Sequence, residues 1–167
     1  MLRLAVLLLL TLLAAGCASS GAVPAPFPVP GPAAPSAPLP EPLVDLPRPP
    51  VVGTALSLQG APYRNGGADP SGFDCSGFVA YVFAQQGFAL PRTVSEQFDA
   101  GRDVPAASLA PGDLVFFSTV APGATHVGIA ISTDQFVHAP SSAGVVRVER
   151  LTAPYWSSRF VGIRRVM

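Results

Sequence analysis

The sequence contains no lysine, and its 10 basic residues, all arginine, are matched by 10 acidic ones. A chain with zero net charge and no basic cluster offers no electropositive surface to phosphates, so we expect no nucleic-acid partner. Cysteine occurs only at Cys17 and Cys75, and histidine only at His126 and His138. A framework of several disulfides is therefore excluded. Chemistry that needs a thiol or an imidazole is confined to these few positions.

The N-terminal segment, residues 1–16, places Arg3 before an almost unbroken apolar run and ends in small residues. This pattern is typical of a secretory signal peptide and is too short to span a membrane. Cys17 follows directly, and the segment resembles a bacterial lipoprotein signal, in which the cysteine is acylated and becomes the mature N-terminus. By that resemblance, the absence of aspartate after Cys17 implies a lipid anchor in the outer membrane, facing the periplasm. An ordinary secretory signal cleaved nearby is the alternative.

The next segment, residues 17–50, holds most of the 20 prolines of the chain. Proline lacks a backbone N–H donor, so this composition excludes a helix or a central strand. Extended polyproline conformations of about 3.1 Å per residue would let the segment hold a domain up to roughly 100 Å from a lipid anchor. We expect a lipidated Cys17 on a semi-rigid tether, followed by one domain over residues 51–167. Without acylation, a disulfide between Cys17 and Cys75 is the alternative.

Within residues 51–167, helical spacing comes first and short β-branched runs follow. The expected helical segments are 51–59, 75–86 with Asp74 as N-cap and Gly87 as stop, and the segment from the capping box Thr93–Glu96 to Gly101, with a loop over 63–71. The expected strands are 113–117, 126–131, 135–139, 145–149 and 160–166, with a helical turn over 152–158. Helices followed by an antiparallel meander predict an α+β domain.

Cys75 lies in the first turn of the predicted central helix, upstream of both histidines. One cysteine before two histidines is the residue order of a papain-like thiol hydrolase, with a nucleophile, a base and an orienting group. The N–H groups at the helix start, and an imidazolium at His126, can lower the thiol pKa from its ordinary value of about 8.5. The N–H of Cys75 can also help to hold an oxyanion. His126 is the candidate base and His138 the candidate orienting group.

Each of these residues has a plainer alternative. A free cysteine is most often a small buried hydrophobe, and a histidine is most often a satisfied surface or core residue. The position of Cys75 at a helix start, beside Asp74 and Ser76, argues against the first alternative. A zinc site built from Cys75, His126, His138 and Asp74 is conceivable from the ligand types, but these residues lack the close paired spacing of structural sites. We therefore predict no metal.

Six segments resemble, in order and spacing, the NlpC family of bacterial cell-wall cysteine peptidases. They are Ala61–Gly67, Phe73–Val79, Leu90–Thr93, Pro111–Phe117, His126–Ile129 and Phe136–Ala139. The resemblance implies a papain-like α+β fold, in which the central nucleophile helix packs on an antiparallel sheet. It also implies that Cys75 is the nucleophile, His126 the base and His138 the third polar residue.

By the same resemblance, Tyr63 would supply a hydroxyl to the oxyanion region, and Asp74 and Ser76 would line the substrate cleft. The alternatives are that Tyr63 packs over the helix start and that Asp74 only caps it. Three further polar residues in the matching motifs are interpreted as structural: Arg92, Gln97 and Asp113.

The resemblance implies a lipid-anchored murein peptidase that hydrolyses an amide bond in the stem peptide or cross-link of peptidoglycan through an acyl-enzyme, without a metal or organic cofactor. Cysteine precedes histidine in the chain, which argues against the permuted lipid-acyltransferase relatives. Two alternatives are a catalytically silent murein-binding or scaffolding lipoprotein on the same fold, and a metal-dependent hydrolase. The intact Cys75, His126 and His138 count against the silent protein.

The hairpin that joins the two histidine-bearing strands permits one further prediction. A two-residue turn at 133–134 would put the histidines on opposite faces of the sheet. A three-residue loop over 132–134 places His138 opposite Gly128, with His126 as a diagonal neighbour on the same face, about 7 to 8 Å away between backbones. We predict the second register, because catalysis requires it. Gly128 would then leave room between the rings and the helix of Cys75.

Overall fold

The computed structural model describes residues 49–141 and 144–167. The predicted signal peptide, Cys17 and nearly all of the predicted tether lie outside the described residues. The tether prediction extended to residue 50, whereas Pro49 is the N-cap of the first helix and Pro50 its first residue. Proline is favoured there, because its fixed φ suits a helix and its missing N–H would have had no partner. None of the described helices is both long and apolar enough to cross a membrane.

Four α-helices occur in the described chain: α1 (Pro50–Ser57), α2 (Cys75–Ala84), α3 (Val94–Asp99) and α4 (Pro154–Ser157). All four fall within the segments predicted to be helical, apart from Pro50 at the start of α1. Asp74 caps α2 by accepting a hydrogen bond from the Gly77 N–H at 2.7 Å. Thr93 and Glu96 form the predicted capping box of α3. Gly87, with φ of +81°, stops α2 in the left-handed conformation that favours glycine.

The predicted loop over 63–71 is partly wrong, because it contains half of a small hairpin. Strand β1 (Ala68–Asp69) pairs antiparallel with β2 (Gly72–Phe73). The turn is closed by Asp69, whose carboxylate accepts from the Ser71 N–H at 2.9 Å. Strands of two residues are too short to show an alternating pattern in a sequence, which is why they were not predicted.

Among the described residues, the main sheet has six antiparallel strands in the order β3–β8–β4–β5–β6–β7. Their bounds are β3 Arg102–Asp103, β4 Leu114–Phe117, β5 His126–Ala130, β6 Gln135–His138, β7 Arg147–Arg150 and β8 Phe160–Arg165. The predicted meander holds from β4 to β7. The last strand departs from it, because β8 pairs with β4 and not with β7. The connection that contains α4 therefore crosses one face of the sheet.

Each face of the sheet has its own core. On one face, α1 and α2 bury side chains such as Phe78 and Val82 against Val127 and Ile129. On the other face, Trp156 of α4 packs with a group that includes Phe117 and Phe136. Because side chains alternate along a strand, a residue next to Val127 points away from the helices. This alternation places the side chains at the start of β5 and the end of β6 on the Trp156 face.

Candidate active site

The first turn of α2 is held against the loop that precedes it. The Asp74 N–H donates to the Gly67 carbonyl at 3.0 Å. A Cβ at Gly77 would lie 2.0 Å from the same carbonyl oxygen, so the helix can approach the loop this closely only with glycine at that position. These contacts fix the backbone of Cys75, the first residue of α2.

Tyr63 is brought beside the helix start by two backbone connections. Its N–H donates to the Gly144 carbonyl at 2.9 Å, and it forms an isolated bridge with Phe73. Tyr63, Cys75 and His126 line one cavity of about 150 Å³. The remaining residues around this cavity are Thr119, Val120, Thr125 and Ser141. The structure therefore brings together the proposed nucleophile, base and oxyanion donor at one opening.

The predicted register of the histidine hairpin is confirmed. Ile129 pairs with Val137 and Ala130 with Phe136, the register of a three-residue loop. Nε2 of His126 lies 2.8 Å from Nδ1 of His138, a hydrogen-bond distance.

The reason given for Gly128 needs correction. A Cβ there would lie 2.6 Å from the Phe136 ring and 3.2 Å from Cβ of His138. The glycine makes room for the neighbouring strand, and not for the helix that carries Cys75.

Both histidine rings are buried, with exposed fractions of 2% for His126 and 0% for His138. Because Nε2 of His126 is engaged by His138, Nδ1 is the nitrogen with which His126 can take a proton from a thiol. Within the described residues, Nε2 of His138 has no hydrogen-bond partner. If Nδ1 of His138 accepts from His126, its Nε2 carries the proton, and a positive charge on the ring would find no acceptor there among the described residues, which favours a neutral His138.

The expectation that the thiol pKa is lowered is wrong. Burial, followed by the negative charge of Asp74, raises the pKa of Cys75 to about 11. Hydrogen bonds from the backbone N–H groups of Val127, Ser76 and Cys75 itself act in the opposite direction but do not offset burial. At neutral pH the free protein therefore carries a thiol and not a thiolate.

Burial also lowers the pKa of His126, to about 3. The pKa of His138 is lowered by burial and, to a smaller extent, by the positive charges of His126 and Arg147. Both imidazoles are consequently neutral at pH 7. A neutral His126 can accept a proton, which is what a general base must do.

Tyr63 keeps its proton as well. Burial raises its pKa above the ordinary value, and the negative charges of Cys75 and Asp74 raise it further, against the opposing charge of Arg92. The phenol is therefore available as a hydrogen-bond donor at the mouth of the cavity.

Asp74 and Ser76 are both held by Arg92. Nη1 of Arg92 donates to Asp74 Oδ1 and to Ser76 Oγ, each at 2.9 Å. Nη2 donates to Asp74 Oδ2 at 2.5 Å. Neither Asp74 nor Ser76 is among the residues lining the cavity with Cys75. The structure thus shows Asp74 as a helix cap with an arginine partner, and its role in a substrate cleft stays a prediction.

Two residues interpreted as structural make structural contacts. Buried Gln97 donates from Nε2 to the Ser76 carbonyl at 3.0 Å and to the Pro91 carbonyl at 2.8 Å. Buried Asp113 accepts from Arg165 Nη2 at 2.7 Å. The bonds of Gln97 tie α3 to α2 and to the segment before α3, and the bond of Asp113 ties the residue before β4 to β8.

Sequence reasoning missed the residues behind the histidines. Trp156 stacks on the His126 ring, with centroids 5.5 Å apart and planes inclined by 26°. Arg147 is opposite His138 in the β6–β7 ladder. As the only tryptophan of the chain, Trp156 could have been singled out, but its partners depend on where α4 crosses the sheet.

Metal ligation was the other chemistry considered for these residues. In the described ranges, no group of three or more His, Cys, Asp or Glu side chains is arranged to hold a metal ion. The hydrogen bond between His126 and His138 also occupies one nitrogen of each ring.

Comparison with known proteins identifies the family of this chain. The model of the NlpC/P60 family matches residues 60–165. The chain is 44% identical over 110 residues to the murein DD-endopeptidase MepS/murein LD-carboxypeptidase of Escherichia coli K12, a match over 65% of this chain and 57% of that protein. It is 37% identical over 120 residues to the gamma-DL-glutamyl hydrolase of Bacillus subtilis 168, a match over 70% of this chain and 29% of that protein.

Solved structures of the same family superpose on this chain. One is a protein of Staphylococcus aureus Mu50 that is described as similar to lipoprotein and belongs to the NLP/P60 family. It superposes with a TM-score of 0.63 at 34% identity, over 71% of this chain and 40% of that chain. The NlpC/p60 domain of the peptidoglycan hydrolase SagA superposes with a TM-score of 0.60 at 35% identity, over 70% of this chain and 96% of that chain. The chain belongs to the NlpC/P60 family.

Proposed function

We propose that this protein is a murein endopeptidase that hydrolyses an amide bond in the stem peptide or cross-link of peptidoglycan by thiol chemistry. The observation that carries the proposal is the 2.8 Å hydrogen bond between His126 and His138, in a pair whose first member shares a cavity with Cys75. The names of the similar proteins support the substrate, since they describe a murein endopeptidase and a peptidoglycan hydrolase.

In the first step, the Cys75 sulfur attacks the carbonyl carbon of the amide while its proton passes to Nδ1 of His126. The transfer accompanies the attack, because burial disfavours a resident thiolate. The oxyanion that forms can accept from the N–H of Cys75 and from the hydroxyl of Tyr63. In other hydrolases one such donor contributes about 10²–10³ in rate.

In the second step, His126 returns the proton to the leaving amine, and the acyl-enzyme remains on Cys75. Water then attacks the thioester with His126 again as base, which releases the free acid and restores the thiol. Throughout the cycle, His138 accepts the Nε2–H of His126. This bond holds the ring in the tautomer whose Nδ1 can take the proton.

The test is digestion of purified murein followed by mass spectrometry of the soluble fragments. We expect Cys75→Ala and Cys75→Ser to abolish hydrolysis with the fold intact, because only one sulfur atom is lost from the packing. His126→Ala should be nearly as severe, and His138→Ala milder, since orienting a base contributes less than being one. Near-normal activity of Cys75→Ser would contradict the thiol mechanism. Equal tolerance of both histidine changes would contradict the assigned roles.

The same fragments identify the bond that is cut. Release of cross-linked dimers as monomers indicates a cross-link amide. Shortened stem peptides indicate an amide between neighbouring stem residues. If wild-type protein binds murein but releases no fragment, the silent murein-binding alternative is the correct one.

We propose further that Cys17 is acylated and anchors the protein in the outer membrane on the periplasmic side. The support is the apolar run before Cys17 and the proline-rich segment behind it. Cys17→Ser should give an unprocessed or soluble product without bound lipid, as judged by mass spectrometry and membrane fractionation. Wild-type protein found lipid-free in the soluble periplasm would contradict the proposal.

A further inference from the structure

An ion pair lies directly beside the histidine pair on strand β7. Arg147 is the ladder partner of His138, so the two side chains emerge on the same face of the sheet at the closest cross-strand spacing. Glu149 lies two residues further along, on that same face. Its Oε1 is 2.7 Å from Nη2 of Arg147, and the two side chains are only 22% and 19% exposed.

Trp156 connects this ion pair back to the histidines. Its indole N–H donates to Glu149 Oε2 at 3.2 Å. Its ring stacks on His126 and meets the His138 ring edgewise, with centroids 5.0 Å apart. Trp156 is fully buried. The five side chains therefore form a closed ring of contacts: His126, His138, Arg147, Glu149 and Trp156.

The proposed reaction places one proton on two hydrogen-bonded imidazoles. Once His126 has taken the proton of Cys75, its Nε2–H points at Nδ1 of His138, only 2.8 Å away. The proton could cross this bond and leave the positive charge on His138. A charge there is remote from the leaving amine, which must be protonated in the next step.

We propose that Arg147, oriented by Glu149, is a positioning residue that keeps the positive charge on His126 by disfavouring it on His138. The fixed positive charge of Arg147, directly opposite His138 on the neighbouring strand, repels a positive charge on the His138 ring. The face of the Trp156 indole, stacked on His126, attracts a charge on that ring. Both effects therefore favour the same imidazole.

The charged and titratable groups around His138 agree with this assignment. His126 faces it from β5 and Arg147 from β7, with Glu149 behind the guanidinium, while α4 presents the non-titrating Trp156. Burial and the positive charges of His126 and Arg147 lower the pKa of His138. Nε2 of His138 also lacks a hydrogen-bond partner among the described residues, so nothing there compensates a charge. The proposal rests on the proposed function only for the origin of the proton.

The test compares Arg147→Gln, Arg147→Lys and Glu149→Gln. The first variant removes the cation, the second keeps it, and the third keeps the cation while the Gln oxygen can still accept from Trp156. Hydrolysis of a purified cross-linked muropeptide gives kcat and KM separately. Imidazole 15N spectra of the folded protein from pH 8 downwards report the protonation of His138 without any need for hydrolysis.

We expect Arg147→Gln to lower kcat about tenfold with little change in KM. It should also raise the pH at which His138 is protonated by about one unit. An effect of this size is expected from the charge of Arg147 when Glu149 compensates about half of it. Arg147→Lys should restore kcat to within about threefold of wild type. Glu149→Gln should lose less activity than Arg147→Gln. In this variant His138 should stay neutral over the same pH range as in wild type.

Three results would overturn the proposal. The first is a His138 titration in Arg147→Gln identical to that of wild type, which decides the matter even if the protein hydrolyses no murein. The second is a Lys variant as impaired as the Gln variant. The third is a Glu149→Gln variant whose kcat falls as far as that of Arg147→Gln, since Arg147 and Glu149 would then act only through packing. If Arg147→Gln does not fold, the Lys and Glu149 variants decide between the same outcomes.

Discussion

Two buried neutral histidines should make the fold sensitive to mild acid. The unfolded chain protonates an exposed histidine with a pKa of about 6.5, whereas the pKa of His126 in the folded protein is about 3. Between these values the unfolded state binds more protons than the native state. Stability therefore rises with pH across this window and is lost as the pH falls below about 6.5.

The magnitude follows from the pKa difference. At pH 5, about 1.5 units below the unfolded value, His126 has cost about 2 kcal/mol of the free energy of unfolding. The pKa of His138 is lowered in the same direction, so this residue adds to the loss. Against a typical total of about 5–15 kcal/mol, this is a large fraction.

Urea unfolding at pH 7.5, 6 and 5 measures this loss. Wild-type protein should lose more than about 2 kcal/mol between the two extremes, and His138→Asn, which retains only His126, should lose less than wild type. A wild-type loss below about 1 kcal/mol would mean that the histidines are protonated inside the fold, and the neutral-base mechanism would be refuted.

Three further predictions concern the cavity and its support. Gly128→Ala should destabilise the fold by about 1–3 kcal/mol in urea and reduce hydrolysis, because its Cβ would press on Phe136; unchanged stability would mean that the strands can separate without cost. Tyr63→Phe should lower kcat about 10²-fold at constant KM if the Tyr63 hydroxyl holds the oxyanion. An unchanged kcat would mean that Tyr63 only packs over the start of α2. Alkylation of Cys75 by iodoacetamide should accelerate steadily from pH 7 to pH 10 in the free protein, and a rate already constant at pH 7 would reveal a resident thiolate.

The register of the histidine hairpin was predicted because catalysis requires it, and the structure shows that it is also encoded locally. Ser132 opens the loop, and its hydroxyl accepts from the N–H groups of Asp134 and Gln135 at 3.3 and 3.0 Å. This side-chain bonding is typical of serine at the start of a turn. Once the loop has three residues, the period of two along each strand decides which face every side chain takes. The meeting of His126 and His138 then requires no long-range information.

The position of β8 could not be foreseen in the same way. The hydrophobic pattern of this segment predicts a strand. It does not predict that the strand pairs with β4 and lies away from β7, the preceding strand in the chain. That pairing depends on α4 crossing the sheet and burying Trp156 against residues such as Phe117. The contacts of Trp156 with both histidines follow from the same crossing, so the ion pair on β7 could not be connected to the site from sequence spacing alone.

The state of the thiol is where local reasoning failed, and the magnitudes explain why. The partial charge of a helix N-terminus is worth about 0.3–1 kcal/mol in typical exposed cases, less than one unit of pKa. Burial and the neighbouring Asp74 carboxylate raise the pKa of Cys75 to about 11. A rise of about two units corresponds to about 3 kcal/mol, several times the helix contribution. The N–H groups at the helix start are therefore insufficient to keep Cys75 as a thiolate in the free protein. They can act more strongly on the oxyanion of a bound substrate, whose negative charge forms only as the thiol proton reaches His126.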